Sequence, residues 1–187
     1  MVIKNDQILD AAAAVLSQRP DATLQTIAAA ASISRTTIFN RYPTRDDLLE
    51  ALGRDALERI SAVMARVPQD EPGDVAAVMS EVTSGLMPLG PRTTFLRVVP
   101  GLGNDLDTHW QSAVIPLAEY IHRVQALGLL RGDQPARWLV ASYIGLLFAA
   151  WDEIAEEEVG INEAARLIVQ TWLAAACYPS VAVTPRR

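Results

Sequence analysis

Apolar residues recur at helical spacing along almost the whole chain. In the first such segment Ile8, Ala12 and Val15 share one face of an amphipathic helix. Short alternating β-branched runs bounded by turns, which would indicate strands, do not occur in the sequence. The pattern predicts an all-α protein of about nine helices, which we place at residues 5–18, 24–31, 35–42, 44–67, 74–87, a short stretch ending near 99, 105–127, 135–158 and 162–177.

Capping residues mark several of the helix ends. Thr23 is expected to be the N-cap of the second helix, and Thr44 with Asp47 has the spacing of a capping box at the start of the fourth. The remaining boundaries are assigned to a turn over residues 88–91, to Gly128 just after the 105–127 helix, and to Asn162 as N-cap of the last helix.

The charge balance excludes a protein that binds polyanions by bulk charge. The 187 residues carry a formal net charge of −6 and give a pI of about 4.9, so any nucleic-acid contact must come from a local patch. Cys177 is the single cysteine, which is typical of a reducing compartment. No signal peptide is visible, and the longest nearly apolar stretch, residues 138–151, is shorter than the ~20 residues of a membrane span. We expect a cytoplasmic protein with no membrane partner.

One stretch departs from this acidic background. No acidic residue occurs between Asp21 and Asp46, while Arg35, Arg41 and Arg45 supply three positive charges. A helix over residues 35–42, turning ~100° per residue, has two faces. One face carries Ile38, Phe39 and Tyr42 and is expected to pack inward; the other carries Thr36, Thr37, Asn40 and Arg41. Hydroxyl, amide and guanidinium groups are those that contact base edges and phosphates.

The spacing of this region fits a helix-turn-helix. A helix over 24–31, a turn of three residues and a second helix would allow that second helix to lie in the major groove of DNA. An ordinary helical corner with a solvated polar face has the same periodicity. Helical spacing by itself leaves both interpretations open.

Residues 23–49, TLQTIAAAASISRTTIFNRYPTRDDLL, closely resemble the helix-turn-helix signature of TetR-family transcriptional regulators, without a gap. The resemblance implies a DNA-binding domain over residues 1–50 and an effector-binding and dimerisation domain over 51–187. It also implies a homodimer that binds a palindromic double-stranded operator and responds to a small apolar or amphipathic effector. Repression is the usual outcome in that family, and an activator would have the same sequence features.

Carried over by position, the resemblance implies a set of DNA contacts. Thr26 and Ser34 would contact phosphate, Arg41 and Arg45 would contact the backbone, and Phe39 would contact a sugar or a thymine methyl. Base edges or backbone would be read by Arg35, Thr36, Thr37 and Asn40. Two positions depart from the family pattern: Ser32 replaces a turn glycine, at a strain cost, and Phe39 replaces a tyrosine whose hydroxyl reaches phosphate. We therefore expect weaker backbone affinity or a different register rather than loss of DNA binding.

The second domain carries a charge of −5, since the first 50 residues hold five basic and six acidic residues out of the total of −6. Its 135–158 helix is apolar on several sides, which predicts that one side faces the core and another a partner. As in the family, this helix and the last one would form a four-helix dimer interface. A central core helix in a monomer is the alternative. The predicted interface residues are Val140, Ile144, Leu147, Trp151, Ile168, Trp172 and Ala175.

An effector pocket is expected on the helices that enclose one in the family, with Met79, Met87, Phe95, His109, Trp110 and Tyr143 as candidate lining residues. Methionine and aromatic residues at helical spacing also suit plain core packing, which stays open. His109 is a candidate polar anchor in a mostly apolar pocket. With two histidines and one cysteine in the chain, we expect no metal site and no cofactor.

Motifs of catalysis are sparse. The sequence has no phosphate-binding loop and no G-x-S-x-G motif, so we do not expect an enzyme. A helical enzyme built on Asp105, Glu119 and His122 is the least favoured alternative. A protein-binding adaptor with the same helix-turn-helix surface is another.

Overall fold

The computed structural model describes residues 5–94 and 103–177, with only the backbone of residues 103–107. These residues form helices and turns without a strand, which confirms the all-α prediction. In chain order the helices are α1 (Asn5–Gln18), α2 (Leu24–Ala30), α3 (Arg35–Arg41), α4 (Arg45–Met64), α5 (Val75–Leu86), a 3-10 turn (Met87–Leu89), α6 (Gly90–Thr93), α7 (Gly103–Ala126), α8 (Ala136–Ala155) and α9 (Ile161–Ala176).

The chain divides into two compact units. The first contains α1 to α4, α6 and the start of α7; the second contains α5, the remainder of α7, α8 and α9. The predicted boundary between residues 50 and 51 falls inside α4, which continues without a break to Met64. The division of roles between residues 1–50 and 51–187 therefore stays a prediction.

The short α3 packs by one side against α1, α2 and α4. Helices of seven residues, such as α2 and α3, are too short to be stable in isolation, so burial must hold them in place. Their apolar residues join those of α1 and α4 in one buried cluster that includes Ile8, Leu9, Ala12, Leu16, Leu24, Ile27, Ile38, Leu48 and Leu52.

The predicted caps at both ends of this region are present. The Thr23 hydroxyl accepts a hydrogen bond from the Thr26 amide at 3.2 Å. At the start of α4 the Thr44 hydroxyl accepts from the Asp47 amide at 3.1 Å, and the Asp47 carboxylate accepts from the Thr44 amide at 2.8 Å. Hydrogen bonds from the Thr44 hydroxyl and backbone hold the pKa of Asp47 below its usual value.

Four sequence-based boundaries are wrong, and one of them is the end of α4, which lies at Met64 rather than near 67. Residues 88–91 are part of the 3-10 turn and of α6, because proline is tolerated in a first helical turn, where its missing N–H has no intrahelical partner. The N-cap of α9 is Gly160, so Asn162 already lies within the helix. Helix α8 ends at Ala155 rather than near 158, since Glu157 adopts a left-handed conformation with φ of 60°.

A charged network ties α6 to the two long helices of the first unit. Arg92, whose side chain is only 8% exposed, donates hydrogen bonds to Asp10 of α1 and to Asp55 of α4. Asp55 also accepts from Arg59 at 3.0 Å. A buried arginine is tolerated only when its charge is paired and hydrogen-bonded, and here two carboxylates meet that need.

The second unit is built on the packing of α9 against α8 and α5. Buried aromatic side chains connect these helices through their polar atoms. Trp172 donates from its indole nitrogen to the Leu139 carbonyl at 2.8 Å, and Trp151 donates to the Met87 carbonyl at 3.1 Å. Each indole N–H therefore keeps a hydrogen-bond partner inside the core.

Helix α8 is, by length and composition, long and apolar enough to cross a membrane. The expectation that residues 138–151 were too short for this counted only the apolar stretch and left out the residues on either side that complete the 20-residue helix. The core helix of a globular protein satisfies the same criteria, and α8 has that packing: Leu139, Tyr143 and Leu147 are buried against other helices of the unit.

We predict that Arg92→Met lowers the free energy of unfolding by about 2–3 kcal/mol, because Asp55 would lose its second cationic partner in a largely buried site. Urea unfolding followed by circular dichroism measures the change. Arg166→Met is the matched control, since Arg166 pairs with Glu163 on the solvent-exposed surface and should change stability by less than about 1 kcal/mol. Equal effects of the two substitutions would contradict the role assigned to Arg92.

Candidate nucleic-acid interface

The turn between α2 and α3 has the hydrogen bonds of a Schellman motif. The Ser32 amide donates to the Ala29 carbonyl at 3.0 Å, and the Ile33 amide donates to the Ala28 carbonyl at 2.9 Å. This pattern requires a left-handed residue at position 32, and Ser32 has φ of 55°. Ser32 thus has the left-handed conformation that the turn was expected to need, and glycine adopts this conformation more easily.

Helix α3 is fixed at its start and at its inner face. The Ser34 hydroxyl caps the helix by accepting from the Thr37 amide at 3.1 Å. Ile38 is fully buried, and the Tyr42 hydroxyl donates to the Asn5 side chain at 2.7 Å. Burial raises the pKa of Tyr42 above its ordinary value, as expected for a phenol turned toward the core.

The inward orientation expected for Phe39 is wrong. Its side chain is 37% exposed, whereas Ile38 and Tyr42 are buried. The reason is angular: Ile38 and Tyr42 are four residues apart and nearly aligned, while Phe39 lies ~100° around the helix from Ile38. A helix of seven residues packs against its neighbours along a narrow face, so Phe39 stays at the surface.

The remaining predicted contacts of α3 lie on its outer surface. Arg35, Thr36, Asn40 and Arg41 are all exposed. The hydroxyl of Thr37 lies 2.8 Å from that of Ser34, so these two residues act together as the cap. Their predicted contacts with DNA stay predictions, and the structure presents their polar groups on one accessible helix.

Two other residues that were predicted to contact DNA make hydrogen bonds within the chain. The Thr26 side chain is half-buried and its hydroxyl lies 3.1 Å from that of Thr23. Arg45 donates from Nε to the Ala22 carbonyl at 3.2 Å and from Nη2 to the Pro20 carbonyl. Arg45 therefore fastens the loop between α1 and α2, and its predicted phosphate contact would use its other N–H groups.

The candidate pocket residues are distributed over both units. Met79, Met87 and Tyr143 are buried in the second unit, where the Tyr143 hydroxyl lies 2.8 Å from that of Thr83. Burial raises the pKa of Tyr143 well above its ordinary value. In the first unit His109 is exposed and Trp110 half-buried. Phe95 lies outside the described residues.

Most of the predicted dimer-interface residues are covered by their own chain. Five of the seven are buried: Val140, Leu147, Trp151, Ile168 and Trp172. Ile144 is half-buried and Ala175 is exposed. Leu139 and Tyr143 of α8 are buried as well, so most of the apolar circumference of this helix packs within the chain. The exposed side of α8 carries instead Trp138, Ala141, Gly145 and Ala149.

Sequence reasoning missed the network of Arg92, Asp10 and Asp55. These residues are separated by 82 and 37 positions along the chain, so no local pattern connects them. One signal was available: Arg92 is a lone charge in the stretch from Leu86 to Thr94. A lone arginine among apolar residues requires a distant partner if it is buried.

For catalysis or metal binding the described side chains offer little. Among them, no three histidine, cysteine, aspartate or glutamate residues are grouped closely enough to hold a metal ion. Glu119 and His122, named above for the enzyme alternative, are both exposed on α7.

Comparison with known proteins agrees with this geometry. Residues 8–52 match the family model of bacterial regulatory proteins of the tetR family. The chain is 31% identical over 147 residues to the HTH-type transcriptional repressor LfrR of Mycolicibacterium smegmatis, covering 78% of this chain and 76% of that protein.

Solved structures extend the similarity to the whole fold. The crystal structure of LfrR in complex with proflavine superposes with a TM-score of 0.75 and 27% identity, covering 93% of this chain and 96% of that one. A TetR-like regulator from Rhodococcus sp. RHA1 has a TM-score of 0.66 at 21% identity, covering 94% and 96%. The chain belongs to the TetR family, and it is a transcriptional regulator with a helix-turn-helix DNA-binding region.

We predict that Ser32→Gly raises the free energy of unfolding by about 0.5–1 kcal/mol. Relief of a left-handed conformation gains about 1–2 kcal/mol, and the greater freedom of glycine in the unfolded chain removes about half of that. Thermal or urea unfolding measures the change. Ser32→Ala is the control, because it retains Cβ and should stay near wild type; a destabilised Ser32→Gly protein would show that the turn is not strained.

Proposed function

We propose that this protein is a ligand-responsive repressor. A homodimer binds a palindromic operator through α3 and leaves it when a small molecule occupies the second unit. The observation that carries the proposal is the outer surface of α3, which is exposed, free of acidic residues and held by Ile38 and the Ser34 cap. The similarity to a transcriptional repressor supports repression rather than activation. Such a protein would act in the cytoplasm, where its operator is.

Binding to DNA would rest on a local patch rather than on total charge. Arg35 and Arg41 lie on the exposed surface of α3, in a window from residue 22 to 45 that contains no acid. A helix of this kind contacts base edges with its N-terminal residues and phosphates with its flanks. Because the whole chain carries −6, such a patch would attract DNA in one orientation only.

A dimer would use the exposed faces of α8 and α9. On α8, Ala141, Gly145 and Ala149 lie on one side at spacings of four residues, and an added Cβ at Gly145 would meet nothing within 4 Å. On α9, Leu167 is 40% exposed and Ala174 and Ala175 are exposed beside it. Small residues allow two helices to approach closely, so a two-fold axis here would form the four-helix arrangement expected from the family.

The effector would enter the second unit. Its core contains Met79 and Met87, which adapt to ligands of different shape, and the buried hydroxyl pair of Thr83 and Tyr143 as a polar anchor. LfrR has been crystallised with proflavine, a planar aromatic cation. We propose an apolar or amphipathic aromatic compound as the class of effector here.

Release requires that the effector bind the two arrangements of the dimer with different affinity. We propose that it tilts α4 and so changes the separation of the two α3 helices. Helix α6 is the segment that would pull on α4, because Arg92 ties it to Asp55 and to Asp10. It follows α5 and Met87 of the second unit directly in the sequence.

The test of DNA binding and release uses the whole protein and a duplex that it selects from a random-sequence library. Affinity measured by fluorescence anisotropy should fall about a thousand-fold or more between 50 and 200 mM salt, as for a protein with several phosphate contacts. Proflavine should raise the melting temperature of the protein without DNA and should lower its affinity for the duplex.

Because proflavine also intercalates into DNA, an unrelated repressor on its own operator serves as the control for release. Failure to select any duplex would reject the regulator. Selection of a duplex with no proflavine effect would reject this class of effector and leave DNA binding intact.

We predict that Gly145→Glu converts the dimer to a monomer and weakens operator binding at least ten-fold, because two carboxylates would meet across the two-fold axis. Sedimentation velocity measures the oligomeric state. Ala126→Glu places the same charge on an exposed position of α7 and should leave the dimer intact. A Gly145→Glu protein that sediments as a dimer would place the interface elsewhere.

A further inference from the structure

An aromatic ring at the surface of α3 lies beneath an arginine. The guanidinium carbon of Arg35 is 5.3 Å from the centroid of the Phe39 ring, within the range of a cation–π interaction. Phe39 is 37% exposed and does not belong to the buried cluster of the first unit. An exposed large apolar side chain on a functional surface calls for a role other than core packing.

The backbone of α3 fixes the relative position of Arg35 and Phe39. Residues four apart lie on the same side of a helix, and side chains lean toward its N-terminus, so the ring of Phe39 reaches back under Arg35. The first turn is capped by Ser34, and Ile38, fully buried, anchors the turn between the two residues. Arg35 and Phe39 thus extend from a segment that is itself held in place.

The surroundings leave the guanidinium of Arg35 able to donate outward. Arg92 is neutralised by two carboxylates and Arg45 donates to two backbone carbonyls, whereas the window from residue 22 to 45 offers Arg35 no acid. Stacking engages the flat face of the guanidinium and leaves the N–H groups at its edge available. An arginine with this edge exposed is suited to bidentate contact with O6 and N7 of guanine.

We propose that Phe39 is a positioning residue for Arg35: its ring orients the guanidinium before DNA binds, and so sets a preference for guanine at one position of each operator half-site. The proposal rests on the DNA-binding function proposed above. At this position of the helix, the phenyl ring would act by orienting Arg35, whereas the tyrosine of the family pattern acts through a hydroxyl that reaches phosphate. Pre-orientation raises specificity because less side-chain freedom is lost on binding.

The expected loss of guanine preference follows from the strength of a cation–π pair. An exposed pair corresponds to about a two- to five-fold change in an equilibrium constant, and a pair from which DNA excludes water corresponds to about thirty-fold. The effect should be confined to one base pair of the half-site, since Phe39 would act through Arg35. The loss of affinity at that base pair should exceed any loss for non-specific duplex, because phosphate contacts do not depend on the ring.

The test begins with the duplex selected by the wild-type protein. Each base pair of one half-site is replaced in turn, and Arg35→Ala identifies the position at which the guanine preference is lost. At that position Phe39→Leu, which keeps an apolar side chain without a π face, should lower the preference at least two-fold. Phe39→Tyr keeps the π face and should retain the preference, with affinity equal or higher. In the Arg35→Ala background, Phe39→Leu should have no further effect on the preference.

Three results would overturn the proposal while leaving DNA binding standing. One is a Phe39→Leu protein whose affinity falls equally for all duplexes. Another is a Phe39→Leu effect on base preference that is the same with and without Arg35. The third is an Arg35→Ala protein that keeps every base preference. A wild-type protein that selects no duplex would instead reject the proposed function itself. Thermal unfolding confirms that each variant is folded, which is expected because both side chains are exposed.

Discussion

The orientation of α3 depends on the burial of one side chain. Seven residues cannot hold a helix by themselves, so the placement of α3 comes from Ile38, which is fully buried among α1, α2 and α4. The Tyr42 hydroxyl adds a hydrogen bond to Asn5, and the Ser34 cap fixes the first turn. Because the inner face of α3 packs against the other helices, the opposite face points into solvent. The exposed polar surface that we propose contacts DNA is the consequence of this packing.

A second constraint is the charge of Arg92. Its near-complete burial would be costly without partners, and the two carboxylates that pair with it come from α1 and α4. This pairing joins a segment from residues 90–93 to helices formed by the first 64 residues. It gives the DNA-binding unit a fixed attachment to a later part of the chain. The proposed response to a ligand would need such an attachment, because a shift elsewhere has to be transmitted to α4.

Helix α8 has a buried side and an exposed side with different residues. Its bulky residues, including Tyr143, Leu147 and Trp151, are buried within the chain, where the Trp151 indole has a hydrogen-bond partner. Its small residues, such as Ala141 and Gly145, lie on the exposed side. Large side chains gain most from burial in a core, and small ones permit another helix to approach closely. Apart from Trp138, which is exposed at the start of the helix, this division by side-chain size supports the proposal of a core on one side and a second protomer on the other.

What the sequence determined by itself is local. The all-α class, the caps at Thr23 and Thr44, the left-handed residue at Ser32 and the family all follow from short-range patterns, because caps and turns depend on neighbours within a few positions. Tertiary structure alone decided the exposed position of Phe39, the face of α8 that stays exposed, and the partners of Arg45 and Arg92. Those outcomes depend on residues between 20 and more than 80 positions away, and helical periodicity carries no information about how much of an apolar helix a distant segment will cover.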